Sequence, residues 1–71
     1  MHAEVIAVGT ELTTGAKLDT NSQWLSLELA DLGIPVQYHT SVADSLDAMV
    51  EILRAAVNRS DVVLVTVTVL V

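Results

Sequence analysis

Seventy-one residues with a net charge of −6 and no cysteine hold one domain at most, and they exclude a disulfide framework, a thiolate nucleophile and a cysteine zinc site. Nine acids against three cations leave no basic footprint for nucleic acid. A hydrophobic share of 52% with almost no aromatics suits a parallel sheet covered by helices, or a piece cut from a larger α/β domain.

Met1-His2-Ala3-Glu4 lacks the basic start and apolar stretch of a signal peptide. The apolar run at the other end is too short to span a bilayer as a helix, so a cytoplasmic protein without membrane contact is expected. Glu4 to Val8 is a β-branched apolar run that predicts a buried strand, and Gly9 ends it with a sharp turn. Gly9 to Leu18 predicts a loop, with Gly15 as its flexible point.

Asp19-Thr20-Asn21-Ser22 offers four candidate N-caps for a first helix. Leu25, Leu29 and Leu32 follow at the spacing of an inward stripe, Leu27 falls off it, and Gly33 stops the helix. Val36, Tyr38 and Thr40 alternate as a second strand, with Pro35 restricting its start to an edge or first position. Asp44-Ser45 predicts the cap of a second helix, whose inward face reads as Leu46, Met49, Val50, Leu53 and Val57. Arg54 and Arg59 fall toward its negative end, and Asn58 to Asp61 makes the exit turn. Val62-Val63-Leu64-Val65 predicts a third strand, central in the sheet by its unbroken apolar character. Thr66 to Val71 alternates without charge; it is an aggregation hazard if exposed, and a loop is expected there instead. The order strand–helix–strand–helix–strand predicts parallel pairing through right-handed crossovers.

In open parallel sheets ligands bind beyond the carboxyl ends of the strands, which is where Glu11 and Asp19 fall. Either carboxylate suits a divalent cation or a ligand hydroxyl; the plainer alternative makes Asp19 a helix cap and Glu11 a solvated loop acid. Gly9-Thr10 and Thr13-Thr14-Gly15 have the composition of a phosphate cradle, but no dinucleotide or Walker fingerprint is present and turn chemistry explains them on spacing alone. His2 and His39 are isolated, Trp24 suits a margin or interface, and Ser22, Ser26, Ser41, Ser45 and Ser60 make no triad with them.

Ala3 to Leu12 with its Gly-Thr-Glu-Leu segment, then Gly15, then Asp19-Thr20-Asn21-Ser22-Gln23-Trp24-Leu25, closely resembles the N-terminal domain of the competence/damage-inducible CinA family, which is similar to the molybdopterin-binding (MoaB/Mog-like) domains. Leu32-Gly33-Ile34, Val42-Ala43-Asp44 and Ser60 to Thr66 continue the resemblance in register. It implies a three-layer αβα domain with a parallel sheet, of which residues 1–71 are the N-terminal β-α-β-α-β half, cytoplasmic and commonly a homo-oligomer. It further implies a nucleotide or pterin ligand, a divalent metal ion, and metal-dependent hydrolysis of an ADP-ribose pyrophosphate in the intact form. Gly9, Thr10, Glu11, Gly15, Asp19, Asn21 and Thr66 inherit ligand-binding roles from it, with Glu11 and Asp19 as metal ligands. The family's Gly-Gly-x-Gly-Pro-Thr loop would follow Thr66, where Val67-Thr68-Val69-Leu70-Val71 stands instead. The chain is therefore expected to be an altered or partial form, inactive alone. A non-catalytic binding module and a half-domain that pairs with another copy through its exposed strand are the alternatives.

Overall fold

Six elements follow one another in the computed structural model, which describes residues 1–67: β1 (Ala3–Val8), α1 (Thr10–Thr13), α2 (Thr20–Asp31), β2 (Val36–Val42), α3 (Leu46–Arg59) and β3 (Val62–Val67). The three strands form one parallel sheet in the order β2-β1-β3. Every residue of β1 is buried, because both of its edges are paired and both of its faces are covered. On one face Ala3 and Val5 meet Leu25 and Leu29 of α2, together with Ile34, Val36, Val62 and Leu64. On the other face Ile6 and Val8 meet Ala48, Met49, Ile52 and Ala56 of α3, with Val42 and Val63. The expected three layers are present. Ile6, fully enclosed, contributes about 2–3 kcal/mol by its burial alone.

The centre of the sheet is β1 and not β3, against the apolar count. Among the described residues β3 lies at an edge, and it runs two residues beyond Val65, so Thr66 is paired opposite Ala7 instead of starting a loop. The remainder of the alternating run, residues 68–71, lies outside the described residues. The segment expected to be all loop after Gly9 contains the short helix α1.

Asp19 caps α2 by accepting from the amide of Ser22 at 3.1 Å and from the Ser22 hydroxyl. At the other end Gly33 takes φ 79, a left-handed conformation that favours glycine. Its amide donates to the carbonyl of Ala30, and the amide of Ile34 donates to that of Leu29, both at 2.9 Å. This pair of bonds is a Schellman closure, and its usual apolar contact is made by Ile34 and Leu29 in the same cluster. Leu32, expected inward, is the C-cap residue and is 74% exposed, since the closure turns the chain away from the sheet. On α3 the inward face is Ala48, Met49, Ile52 and Ala56. Of the expected stripe only Met49 packs, while Leu46, Val50, Leu53 and Val57 stay exposed. Small alanines let that helix approach the sheet closely, and the larger residues beside them are left outside. Ser45 is its N-cap without a side-chain cap bond, so the cap expected of Asp44-Ser45 is not made.

Glu4 is a charged residue with no exposed surface at the amino edge of the sheet. Arg59, at the end of α3, donates Nε and Nη2 to its two carboxylate oxygens at 3.0 and 2.7 Å, and the Ser60 hydroxyl donates at 2.7 Å. The guanidinium also lies 3.9 Å over the ring of Tyr38, the β2 residue paired with Glu4. The hydrogen bond from Arg59 holds the Glu4 carboxyl below its ordinary value, against burial, which raises it; Ser60 adds to the lowering. Nearby, the amide of His2 donates to the Asp61 carboxylate at 2.9 Å and lowers the pKa of that acid.

Candidate functional site at the carboxyl edge

β1, β2 and β3 all end on the same side, and Gly9 sits where the central strand leaves the sheet. Its amide donates to the carbonyl of Val42, the last residue of β2, at 2.9 Å, so the ladder between β1 and β2 continues one residue past the end of β1. The chain then winds directly into α1 and turns the side chain of Glu11 back over Gly9. A Cβ at position 9 would stand 2.7 Å from Glu11 Oε1, so the absence of a side chain there makes room for the carboxylate. That Oε1 is buried and has no hydrogen-bond partner, an arrangement that costs free energy unless a donor or cation meets it.

Thr10 fastens α1 to the next strand: its Oγ1 accepts from the amide of Asp44, the acid after β2, at 3.3 Å. With the lone pair so used, the hydroxyl proton of Thr10 remains to donate outward. Thr13 and Thr14 donate to the carbonyls of Thr10 and Glu11 at 3.1 and 3.4 Å. Their hydroxyls close the short helix, which is the turn chemistry their spacing favoured. Gly15 takes φ 83, and the amide of Lys17 donates back to the Glu11 carbonyl at 3.0 Å, folding the segment onto itself. On β3, Thr66 has a buried Oγ1 without a partner, one strand away from the end of β1.

Gly9, Thr10, Glu11 and Thr66 thus gather at the carboxyl edge. Asp19 and Asn21 belong to the first turn of α2, where both oxygens of Asp19 serve Ser22 and Asn21 is exposed. Asp44, read from sequence as a helix cap and as part of the resembling Val42-Ala43-Asp44 segment, stands at this edge as an exposed acid tied to Thr10; its position two residues after the end of β2 was the available signal. Among the described residues no group of three or more His, Asp or Glu side chains is placed to hold a metal ion. Glu11 offers one free oxygen to a hard cation, whereas Asp19 is committed to its helix. His39, isolated in sequence, lies 2.6 Å by Nε2 from the hydroxyl of Ser26, which also donates to the Ser22 carbonyl. No helix among the described residues is long and apolar enough to cross a membrane.

Residues 4–67 match the family described as "Probable molybdopterin binding domain". A "CinA-like protein" of Dictyoglomus turgidum is 50% identical over 93% of this chain and 16% of its own length. A protein of the same description from Gloeothece citriformis is 46% identical over the same shares. The solved structure titled "The crystal structure of the protein CinA with unknown function from Thermoplasma acidophilum" is 33% identical, with a TM-score of 0.86 over 90% of this chain and 38% of that one. The chain therefore spans about a sixth of the length of these curated relatives.

Proposed function

The chain belongs to the "Probable molybdopterin binding domain" family, and from that premise we propose that its carboxyl edge forms one wall of a site for a phosphate-bearing heterocycle, a pterin or a nucleotide of the ADP-ribose type. The observation that carries this reading is the buried, unpartnered oxygen of Glu11 folded over Gly9. A carboxylate so placed repels a bare phosphate, and it suits instead the N–H groups of a pterin or purine, or a sugar hydroxyl. Thr10 and Thr66 supply hydroxyls at the same edge of the sheet.

The resemblance to CinA extends the proposal to hydrolysis of a pyrophosphate in the intact protein. A divalent cation bound there would neutralise phosphate charge and activate a water. In this chain Glu11 is the residue fitted to hold it, with the remaining positions left to phosphate oxygens and water. One carboxylate and two hydroxyls orient a ligand but do not assemble a hydrolytic centre, so the chain alone is expected to bind without turnover.

The test is a titration of the isotopically labelled chain with ADP-ribose, then with a pterin, in the presence and absence of Mg²⁺. Amide shifts at Gly9, Thr10, Glu11 and Thr66 are expected, largely abolished in Glu11→Gln, with no AMP formed. Shifts confined to other residues would remove the site from this edge, and AMP release by the chain would overturn its expected inactivity.

A further inference from the structure

α1 has four residues, none of them buried, and Gly9 before it supplies no side-chain cap. A helix that short does not stand alone, because its few hydrogen bonds do not offset the dihedral freedom they remove. The hydroxyls of Thr13 and Thr14 close it from within, on the carbonyls of Thr10 and Glu11, but they leave its place over the sheet undetermined. Two bonds to another part of the chain fix that place. The Gly9 amide donates to the carbonyl of Val42, and Thr10 Oγ1 accepts from the amide of Asp44. Both run to the exit of β2, the strand against which α1 lies. Among the described residues the second is the one side-chain hydrogen bond that α1 makes outside its own segment.

The two bonds start on consecutive residues and end two residues apart, so together they orient the first turn of α1. Glu11 comes next. Its Oε1 has no hydrogen-bond partner and stands 2.7 Å from where a Cβ on Gly9 would be. No bond of its own holds that oxygen, so its place is inherited from the backbone of α1.

We propose that Thr10 is a positioning residue: by accepting from the Asp44 amide its hydroxyl keeps α1 wound, holds the Glu11 carboxylate over Gly9, and couples the carboxyl edge to the turn between β2 and α3. What this means for a ligand rests on the carboxyl edge being the binding site. A ligand that engages Glu11 then meets a carboxylate already oriented, and less freedom is lost on binding.

Amide exchange of the whole isotopically labelled chain, without ligand, tests the tie. Thr10→Val keeps the β-branched shape and removes the acceptor, while Thr10→Ser keeps the hydroxyl. In Thr10→Val, exchange at Asp44 is expected to quicken about two- to tenfold, the net worth of one neutral hydrogen bond. Leu12 and Thr14 should quicken with it, since their amides donate to the carbonyls of Gly9 and Thr10. Ile6 in the core should keep the parent's rate, and Thr10→Ser should restore the other three. Unchanged exchange at Asp44 overturns the proposal, as does quickening at Asp44 alone, at Ile6 to the same degree, or in both variants alike. Titration with ADP-ribose and then with a pterin reads the consequence: Thr10→Val should weaken binding by a similar factor, and Thr10→Ser should restore it. Weakened binding in Thr10→Val with α1 exchanging at the parent's rates marks a direct ligand contact by the hydroxyl and overturns the positioning role. A parent chain in which neither ligand shifts any amide refutes the ligand site itself, and the ligand-free exchange then decides the role of Thr10 alone.

Discussion

Replacing Glu4 by Gln keeps the shape of the side chain and removes its charge, which makes the buried cluster at the amino edge measurable. Gln can still accept from Ser60 and Arg59 Nε through its one carbonyl oxygen, but its amide nitrogen faces the Nη2 donor that now lies 2.7 Å from Oε2. One charge-assisted bond is lost and two donors oppose each other, a cost of about 2–3 kcal/mol. A domain of this length has a total stability of about 4–10 kcal/mol, so a large share of it is at stake. With an m-value near 1 kcal/mol/M, the urea midpoint should fall by about 2 M at neutral pH. The pH dependence gives a second reading. The folded carboxyl titrates below its ordinary value of 4.5, chiefly because of Arg59. The stability it contributes is therefore complete above that value and disappears as pH falls through the folded pKa. The gap between parent and variant should be constant near neutrality and close in acid. A variant within about 0.5 kcal/mol of the parent, as at an ordinary surface position, refutes the reasoning; so does a gap that survives unchanged at low pH.

Asp19→Ala should cost about 1 kcal/mol through loss of the α2 cap, lowering the melting temperature by about 4–8 °C and accelerating amide exchange at Ser22. Gly33→Ala places a side chain at φ 79 and should cost about 1 kcal/mol; D-alanine introduced there by chemical synthesis should restore the parent's urea midpoint. Gly9→Ala sets a methyl group against the Glu11 carboxylate. It should leave the fold intact by circular dichroism but remove the ligand-induced shifts at Thr10 and Glu11.

Local signals were legible because local groups enforce them. Val5, Ile6 and Val8 announce a buried strand, Asp19 reaches no farther than Ser22, and Gly33 acts within one turn. The central strand was not legible from apolar count. β1 carries an acid and β3 none, and what makes Glu4 tolerable in the middle is Arg59, 55 residues away. The inward face of α3 was misread for a related reason. The longest side chains make the clearest periodic stripe, but close approach to Ile6 and Val8 is granted by Ala48 and Ala56. At the candidate site the residue types were visible, yet the division of labour was not. Both oxygens of Asp19 go to Ser22 while Oε1 of Glu11 stays bare, a distinction set by where the backbone turns after Gly9.

The order β2-β1-β3 also has a consequence in time. Of these three strands the earliest is the one paired on both sides by strands made after it, and His2 meets Asp61 across 59 positions of chain. Helices can close within their own segments, but β1 gains its second edge only when β3 has been made. Folding of this unit is governed by long-range closure and should be slow for its size. Until β3 arrives, a nascent β1 presents an open apolar edge and an acid without its arginine. That interval, more than the finished fold, is where misassembly with neighbouring chains would begin.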